Sequence, residues 1–237
     1  RQRPFRMSSA PAAATTSRSL RYRLCVMMFL QYFVQGSYLP VITEYLRSGL
    51  EFTPAQIGTF SAAIAVGPLV APFFFGQLVD RHLATEKVLA FCHLCGGAIM
   101  LALYSIEAYV PIVLLGVLYS TLYVPSMMLT NSLSFHHLAD REREFPLIRL
   151  WGTIGFVVPA WWVEMVFLRG LEGPQLDKAR GIVLAFAGFG GLVMGLYCLT
   201  LPHTPPSKTD KNDLAPGKVL RLLRRRNFTV LVGVSLI

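Results

Sequence analysis

The sequence predicts an all-α membrane protein with six transmembrane helices and the start of a seventh. Of the 237 residues, 54% are apolar and 15% carry a charge, whereas soluble chains average about 25% charged residues. The apolar residues fall into six segments, each reaching the roughly 20 residues that a helix needs to cross the hydrocarbon layer. Backbone groups in lipid must hydrogen-bond within their own segment, so helices are expected. Disorder is excluded, because disordered chains are poor in aromatic residues and 12% of this chain is aromatic.

A basic stretch rich in Ser and Ala opens the chain, and residues 1–21 are therefore predicted to be a disordered cytoplasmic tail. The six apolar segments form a predicted transmembrane bundle over 22–201, with spans at 22–46, 54–79, 86–106, 109–131, 146–168 and 179–201. A cytoplasmic linker loop rich in Pro, Lys and Asp follows at 202–226. The apolar run 227–237 is half a span long, and we expect it to be the truncated start of a C-terminal bundle. The chain is thus expected to be an N-terminal fragment.

The lysine and arginine residues predict how the helices are oriented in the membrane. Seventeen of these 22 residues lie in the tail, in the second and fourth loops and in the loop 202–226, and four lie on the other side. Because cytoplasmic loops carry the excess of Lys and Arg, the N-terminus is predicted to be cytoplasmic. The net charge of +9 then reflects topology and contact with the anionic lipid bilayer, and no nucleic-acid partner is expected.

The fifth segment, FPLIRLWGTIGFVVPAWWVEM, contains the main candidate binding site. Arg149, Thr153 and Phe156 are spaced i, i+4, i+7 and therefore share one helix face. An arginine within a span costs roughly 2.5–3.5 kcal/mol on insertion scales, so it is expected to face a polar cavity and bind an oxygen-rich ligand. Thr153 adds a hydroxyl and Phe156 a stacking surface. The alternative is that Arg149 snorkels to the cytoplasmic headgroups, while Gly152 and Gly155 are expected to be helix-packing positions.

Polar stripes on the first and fourth segments predict further lining of the same cavity. Gln31, Gln35 and Tyr38 share one face of the first helix, and buried amides need hydrogen-bonding partners. The sequence does not decide whether these side chains contact a ligand or form hydrogen bonds between helices. Tyr123 and Asn131 belong to a similar stripe on the fourth helix, and a wet, aromatic cavity between the helices is expected.

The second loop, GQLVDRHLATEK, predicts a cytoplasmic gate. Gly76 allows backbones to approach closely, and Asp80 and Arg81 can pair across the gate or cap the next helix. The alternative is an ordinary helix end with an exposed ion pair, worth less than about 1 kcal/mol.

The other motifs favour neither an enzyme nor a metal site. Cys92 and Cys95 have CxxC spacing, but they flank His93 inside a span, where a role in packing is expected. His136 and His137 lie in a charged loop without a further run of ligands. The sequence contains no Ser/His/Asp set and no phosphate-binding loop. Catalytic residues, metal ions and bound cofactors are therefore not predicted.

Stretches across all six predicted helices resemble the nucleoside:proton symporter family of the major facilitator superfamily. In order over residues 24–206, these stretches are QYFVQGSYLP, GQLVDR, FCHLCGGA, YVPSMMLTNSLSFHHL, FPLIRLWGTIGF and LTLPHTPP. The fourth and the fifth of them are the most specific to the family. The resemblance implies a twelve-helix transporter with two six-helix bundles in a bacterial cytoplasmic membrane. It would move a nucleoside inward with a proton by alternating access, as a monomer. The resemblance also implies that Arg149, Thr153 and Phe156 contact the nucleoside, and that the carriers of the coupling proton lie in the C-terminal bundle.

The first-helix motif departs from the family pattern, because tryptophans usually stand where this chain has Gln35 and Tyr38. The resemblance therefore does not specify which nucleoside is preferred. Two other functions stay open from the sequence. The same bundle can transport another small solute, such as a sugar or metabolite, and six helices also suit a membrane enzyme or sensor with a catalytic cluster or soluble output domain.

Overall fold

The structure, a computed structural model, describes residues 16–69 and 83–205, and every regular element in these ranges is a helix. Short helical segments connect the main helices; they are Ile42–Glu44, Tyr45–Gly49, Glu164–Leu168 and Gly173–Ala179. The main helices are α1 (Arg18–Tyr38), α2 (Pro54–Ile64), α3 (Thr85–Tyr104), α4 (Tyr109–His137), α5 (Arg141–Val163) and α6 (Ile182–Cys198).

Five helical stretches within the described ranges are long and apolar enough to cross a membrane, and they coincide with five of the predicted spans. They are Arg18–Gly49, Thr85–Tyr104, Tyr109–His137, Arg141–Leu168 and Gly173–Cys198. The other predicted span, 54–79, is helical over 54–64 and 66–69, and its part beyond residue 69 lies outside the described residues. The predicted class, an all-α membrane protein, is confirmed for the part of the chain that the structure describes.

The first helix begins earlier than the sequence predicts. Ser17 is its N-cap residue, and the Ser17 hydroxyl accepts a hydrogen bond from the backbone N–H of Leu20 at 3.3 Å. Such a cap satisfies one of the free N–H groups at a helix start, so α1 extends back to Arg18. The predicted boundary of the tail at residue 21 is therefore wrong, and residues 1–15 lie outside the described residues.

The fourth and fifth helices are also longer than predicted where they approach each other. α4 continues past residue 131 to His137, because the sequence SLSFHH contains no Gly or Pro to end it. α5 begins at Arg141 instead of at residue 146. Asp140 caps this start by accepting a hydrogen bond from the backbone N–H of Arg143 at 3.1 Å.

Glycines bring the backbones of neighbouring helices into direct contact. A Cβ atom at Gly155 of α5 would meet the backbone carbonyl of Phe29 on α1, and one at Gly36 of α1 would meet the backbone of Phe156. Gly97 of α3 makes a similar approach to the backbone of α6. Small residues allow helices to pack this closely in membranes, where van der Waals contact drives association. The predicted packing role of Gly155 is confirmed.

Hydrogen bonds join the helices at the end of the bundle where α1, α3 and α5 begin, which we call the basic end. Glu144 of α5 accepts hydrogen bonds from the backbone N–H and the hydroxyl of Thr16. Glu86 of α3 accepts a hydrogen bond from the backbone N–H of Thr204 at 3.0 Å. The Thr204 hydroxyl in turn lies 2.9 Å from Nε2 of His137 on α4. The chain that follows α6 therefore packs across the start of α3 and the end of α4.

The predicted linker 202–226 is described only as far as residue 205. This first part lies against the basic end through Thr204. The predicted start of a second bundle, 227–237, lies outside the described residues.

Candidate functional site

Arg149, Thr153 and Phe156 share one face of α5, as their spacing predicts, because α5 is an uninterrupted helix across all three. Arg149 and Phe156 are half-buried, and Thr153 is exposed on the surface of the bundle. With a rise of about 1.5 Å per residue, Arg149 lies about 12 Å from the start of α5. This face of α5 therefore carries a cation, a hydroxyl and an aromatic ring in order along the central part of the helix.

The side chain of Arg149 points toward the middle of α5 and not toward its start. The guanidinium carbon lies 4.1 Å from the centroid of the Tyr32 ring on α1. The Nη1 atom lies 2.7 Å from the position that a Cβ atom would take at Gly152, which is three residues further along α5. A snorkelling arginine extends the other way, toward the nearer headgroups. The geometry therefore favours a polar site over snorkelling for Arg149.

The guanidinium of Arg149 has no oxygen acceptor within the described parts of the chain. The ion pairs that these residues form do not include Arg149, and their arginine hydrogen bonds come from Arg21, Arg141 and Arg180. A cation over an aromatic face is attracted by the ring without an oxygen acceptor. A guanidinium carries five N–H donors, so Arg149 can donate to an oxygen-bearing ligand.

Phe156 connects this face of α5 to α1. Its backbone packs against Gly36, and its side chain packs at the edge of the buried apolar cluster that contains Met28 and Ile148. The Phe156 side chain is half-buried, so part of the ring surface can stack on a ligand.

Gln31 joins three helices and does not line a cavity. Its side chain is 0% exposed, its Nε2 atom donates to Ser126 Oγ on α4 at 3.0 Å, and its Oε1 atom lies 2.8 Å from Nε2 of His93 on α3. Its backbone carbonyl accepts a hydrogen bond from the Tyr123 hydroxyl at 2.7 Å. Both polar atoms of the amide are thus used in contacts between helices. Of the two interpretations that the sequence left open for Gln31, the structure supports helix–helix hydrogen bonding.

Tyr38 and Tyr123 line an apolar cavity between α1, α2 and α4. The cavity has a volume of about 370 Å³, and Phe60 and Tyr119 also line it. Tyr119 and Tyr123 stack with their ring centroids 5.3 Å apart, and Tyr38 packs edge-on against Tyr119 at 5.8 Å. Arg149 is not among the residues that line it. The structure therefore separates these two tyrosines from the polar face of α5, although the sequence predicts one shared cavity.

The remaining predicted site residues are only partly defined by the structure. Gln35 is half-buried, as is Asn131, whose Oδ1 atom is buried without a hydrogen-bond partner among the described residues. The predicted gate residues Gly76, Asp80 and Arg81 lie outside the described residues.

The described cysteines and histidines do not form a metal centre. Cys92 and Cys95 are free thiols. Within 16–69 and 83–205, no group of three or more His, Cys, Asp or Glu side chains is arranged to hold a metal ion.

Comparison with known proteins identifies the family to which this helical bundle belongs. A sequence profile described as "Nucleoside H+ symporter" matches residues 18–237, which include every described helix. The chain belongs to the nucleoside H+ symporter family. The resemblance stated from the motifs is therefore confirmed.

Curated relatives of the chain include two transporters of Escherichia coli (strain K12). The chain is 31% identical to the putative nucleoside transporter YegT over 212 residues, which cover 88% of this chain and 49% of YegT. It is 33% identical to the xanthosine permease over 194 residues, which cover 79% of this chain and 44% of the permease. The chain thus spans about half the length of the curated relatives it matches.

A crystal structure of the nucleoside transporter NupG has the same fold. The two structures superpose with a TM-score of 0.75 at 25% sequence identity, and the match covers 90% of this chain and 52% of NupG. The chain therefore has the fold of a helical bundle of the major facilitator superfamily.

Two residues around the candidate site, Tyr32 and His93, are not predicted from the sequence. Tyr32 carries no motif of its own, and its role appears only when α1 and α5 are packed together. His93 is assigned only a packing role, although it pairs with Gln31. A signal for His93 does exist in the sequence, because a histidine within a span needs a polar partner just as a buried glutamine does.

Proposed function

We propose that the complete transporter takes up nucleosides across a bacterial cytoplasmic membrane by proton symport, and that it acts as a monomer and is not an enzyme. The similarity to a putative nucleoside transporter and to a xanthosine permease supports a nucleoside substrate. The observation that carries the proposal is the Arg149 guanidinium, which points into the span and has no oxygen acceptor among the described residues. A charged guanidinium within a membrane span is costly unless a ligand, water or another part of the protein supplies oxygen atoms.

In this mechanism the polar face of α5 binds the substrate. Arg149 and Thr153 donate hydrogen bonds to nucleoside oxygen atoms, and Phe156 stacks on the base. The rest of the transporter would close over the ligand from the other side, and the site would then open to the cytoplasm. The N-terminus would lie in the cytoplasm, as the distribution of Lys and Arg predicts.

The coupling proton would be carried by acidic residues outside the described part of the chain. Within it, the two buried acids at the basic end already have partners: Glu144 accepts hydrogen bonds from Thr16, and Glu86 accepts one from Thr204. Glu44 and Glu164 lie at helix ends away from the middle of the membrane. Proton relays are usually placed deeper within the span.

The test is uptake of labelled uridine by cells that express the full-length protein with Arg149→Ala. Hydrogen bonds to charged groups are worth about 1.5–3 kcal/mol each, so we expect at least about a tenfold loss of uptake at low substrate concentration. Arg143→Ala is the matched control, because it removes an arginine from the same helix whose side chain is 85% exposed. Unchanged uptake by the Arg149 variant, at equal expression in the membrane, would contradict the assignment.

Two further measurements separate this proposal from its alternatives. Competition of labelled uridine uptake by unlabelled nucleosides, but not by sugars, supports nucleoside transport over transport of another solute. Dissipation of the proton gradient should stop uphill uptake. Uphill uptake that continues without a proton gradient excludes proton symport.

A further inference from the structure

We propose that Tyr32 is a positioning residue for substrate binding: its ring holds the Arg149 guanidinium in place, and Gly152 provides the space for this contact. The inference rests on the proposed role of Arg149 in binding the nucleoside. Tyr32, a residue on α1 that does not itself touch the substrate, then contributes to the affinity of the site.

The first step is the contact between the cation and the ring. The Arg149 guanidinium carbon lies 4.1 Å from the Tyr32 ring centroid, well within the roughly 6 Å over which a cation is attracted to an aromatic face. Tyr32 is 7% exposed, so water competes little for the guanidinium on that side. Arginine side chains are flexible, and the ring therefore selects one direction among many for Arg149.

The second step is the space above Gly152. A Cβ atom there would lie 2.7 Å from Arg149 Nη1 and 2.7 Å from Tyr32 Cδ2. Carbon atoms in proteins pack at about 3.5–4.0 Å, so any side chain at this position would displace the ring or the guanidinium. The contact between Arg149 and Tyr32 thus requires a glycine at position 152. Gly155 differs, because there the Phe29 backbone leaves no room for a side chain.

The third step is the anchoring of Tyr32 itself. The preceding residue, Gln31, is hydrogen-bonded to His93 on α3 and Ser126 on α4. Its backbone carbonyl also accepts a hydrogen bond from Tyr123. Successive residues point about 100° apart around a helix, so α1 is fixed to α3 and α4 on one side while Tyr32 meets α5 on another. These hydrogen bonds therefore fix α1 relative to α3 and α4, and α1 in turn fixes the position of the guanidinium through Tyr32.

The chemistry suits a neutral ligand that is rich in oxygen, such as a nucleoside. A carboxylate partner would neutralise the guanidinium and occupy its N–H donors. An aromatic face attracts the same charge without an oxygen acceptor, which leaves donors for hydroxyl or carbonyl oxygens of the substrate. The ring thus orients Arg149 without competing with the ligand.

The experiment measures the KM and the maximal rate of uridine uptake by the full-length protein. Tyr32→Leu should raise KM about 3- to 30-fold, the range expected for loss of a cation–π contact, with a smaller change in the maximal rate. Tyr32→Phe keeps an aromatic face and should stay within about threefold of the wild-type KM. Gly152→Ala should raise KM as Tyr32→Leu does, whereas Gly58→Ala is the matched control, because a Cβ atom there meets nothing within 4 Å.

A double variant separates positioning from a general structural effect. Equilibrium binding of uridine to purified protein should weaken with Tyr32→Leu alone. In an Arg149→Gln background, the same Tyr32 change should add less than about a twofold effect, because its route to the substrate is already removed. An equal loss in both backgrounds, or a Tyr32→Phe variant as weak as Tyr32→Leu, overturns the proposal. Absence of uridine binding by the wild-type protein would instead contradict the proposed function.

Discussion

Replacing Gln31 with leucine tests how the first helix is held in the bundle. The change removes both polar atoms of the amide, so His93 Nε2 loses its partner at 2.8 Å. Ser126 loses only the hydrogen bond that it accepts, because its own hydroxyl still donates to the backbone carbonyl of Tyr123 at 2.6 Å. The main cost is therefore one buried imidazole nitrogen without a partner.

The magnitude follows from two estimates of such a loss. A buried polar group left unpaired costs about 1–3 kcal/mol in soluble proteins, whereas hydrogen bonds between membrane helices average about 0.6 kcal/mol and reach about 1.7. Gln31 is 0% exposed, so we expect a value near the upper end of the membrane range. The free energy of unfolding should fall by about 1–2 kcal/mol.

The assay is denaturant unfolding of the purified full-length protein in detergent micelles, with His93→Leu and the Gln31→Leu/His93→Leu double variant alongside. Replacing both partners of a hydrogen bond by apolar groups can be nearly neutral. The double variant should therefore be more stable than the sum of the two single losses implies. Strictly additive losses, or a Gln31→Leu protein as stable as the wild type, would falsify the claim that this pair of side chains stabilises the bundle.

The other two stability predictions use the same unfolding assay. Gly155→Ala should lower the free energy of unfolding by about 1–3 kcal/mol, because the added Cβ meets the Phe29 carbonyl. The control Gly58→Ala should change it little. Equal effects of the two substitutions would contradict backbone contact between α1 and α5. Glu86→Gln should cost about 1 kcal/mol, because one of the two acceptor oxygens at Glu86 becomes a donor that faces the N–H of Thr204 or the His203 ring. No loss would show that the chain after α6 is not held there.

The helices could be predicted from the sequence because their signals are local. Apolar length and bounding charges locate the described spans, with helix ends that differ from the predicted ones by up to six residues. The errors fall at helix ends, where a short-range cap decides the boundary. Ser17 lies in a stretch that looks like a polar tail, and only its hydrogen bond to Leu20 shows that the helix has begun.

The candidate site could be predicted only as a face of one helix. The spacing of Arg149 and Thr153 places them together, because the helical repeat is a local property. What Arg149 contacts on α1 depends on how α1 and α5 cross, and this crossing is set by backbone contact at Gly36 and Gly155. The contacts of Gln31 also depend on how the helices pack, so the sequence alone does not decide whether it contacts a ligand or another helix.

The most direct test of the central claim is whether the polar face of α5 is open to water and covered by substrate. In the full-length protein with Cys25 and Cys95 replaced by serine, Thr153→Cys should react with a charged, water-soluble thiol reagent, and saturating uridine should slow the reaction. Val158→Cys, on another side of α5 beside an apolar pocket, should react slowly with or without uridine. A Thr153→Cys protein that does not react, or that reacts equally fast with uridine present, would contradict the claim that this face lines the nucleoside path.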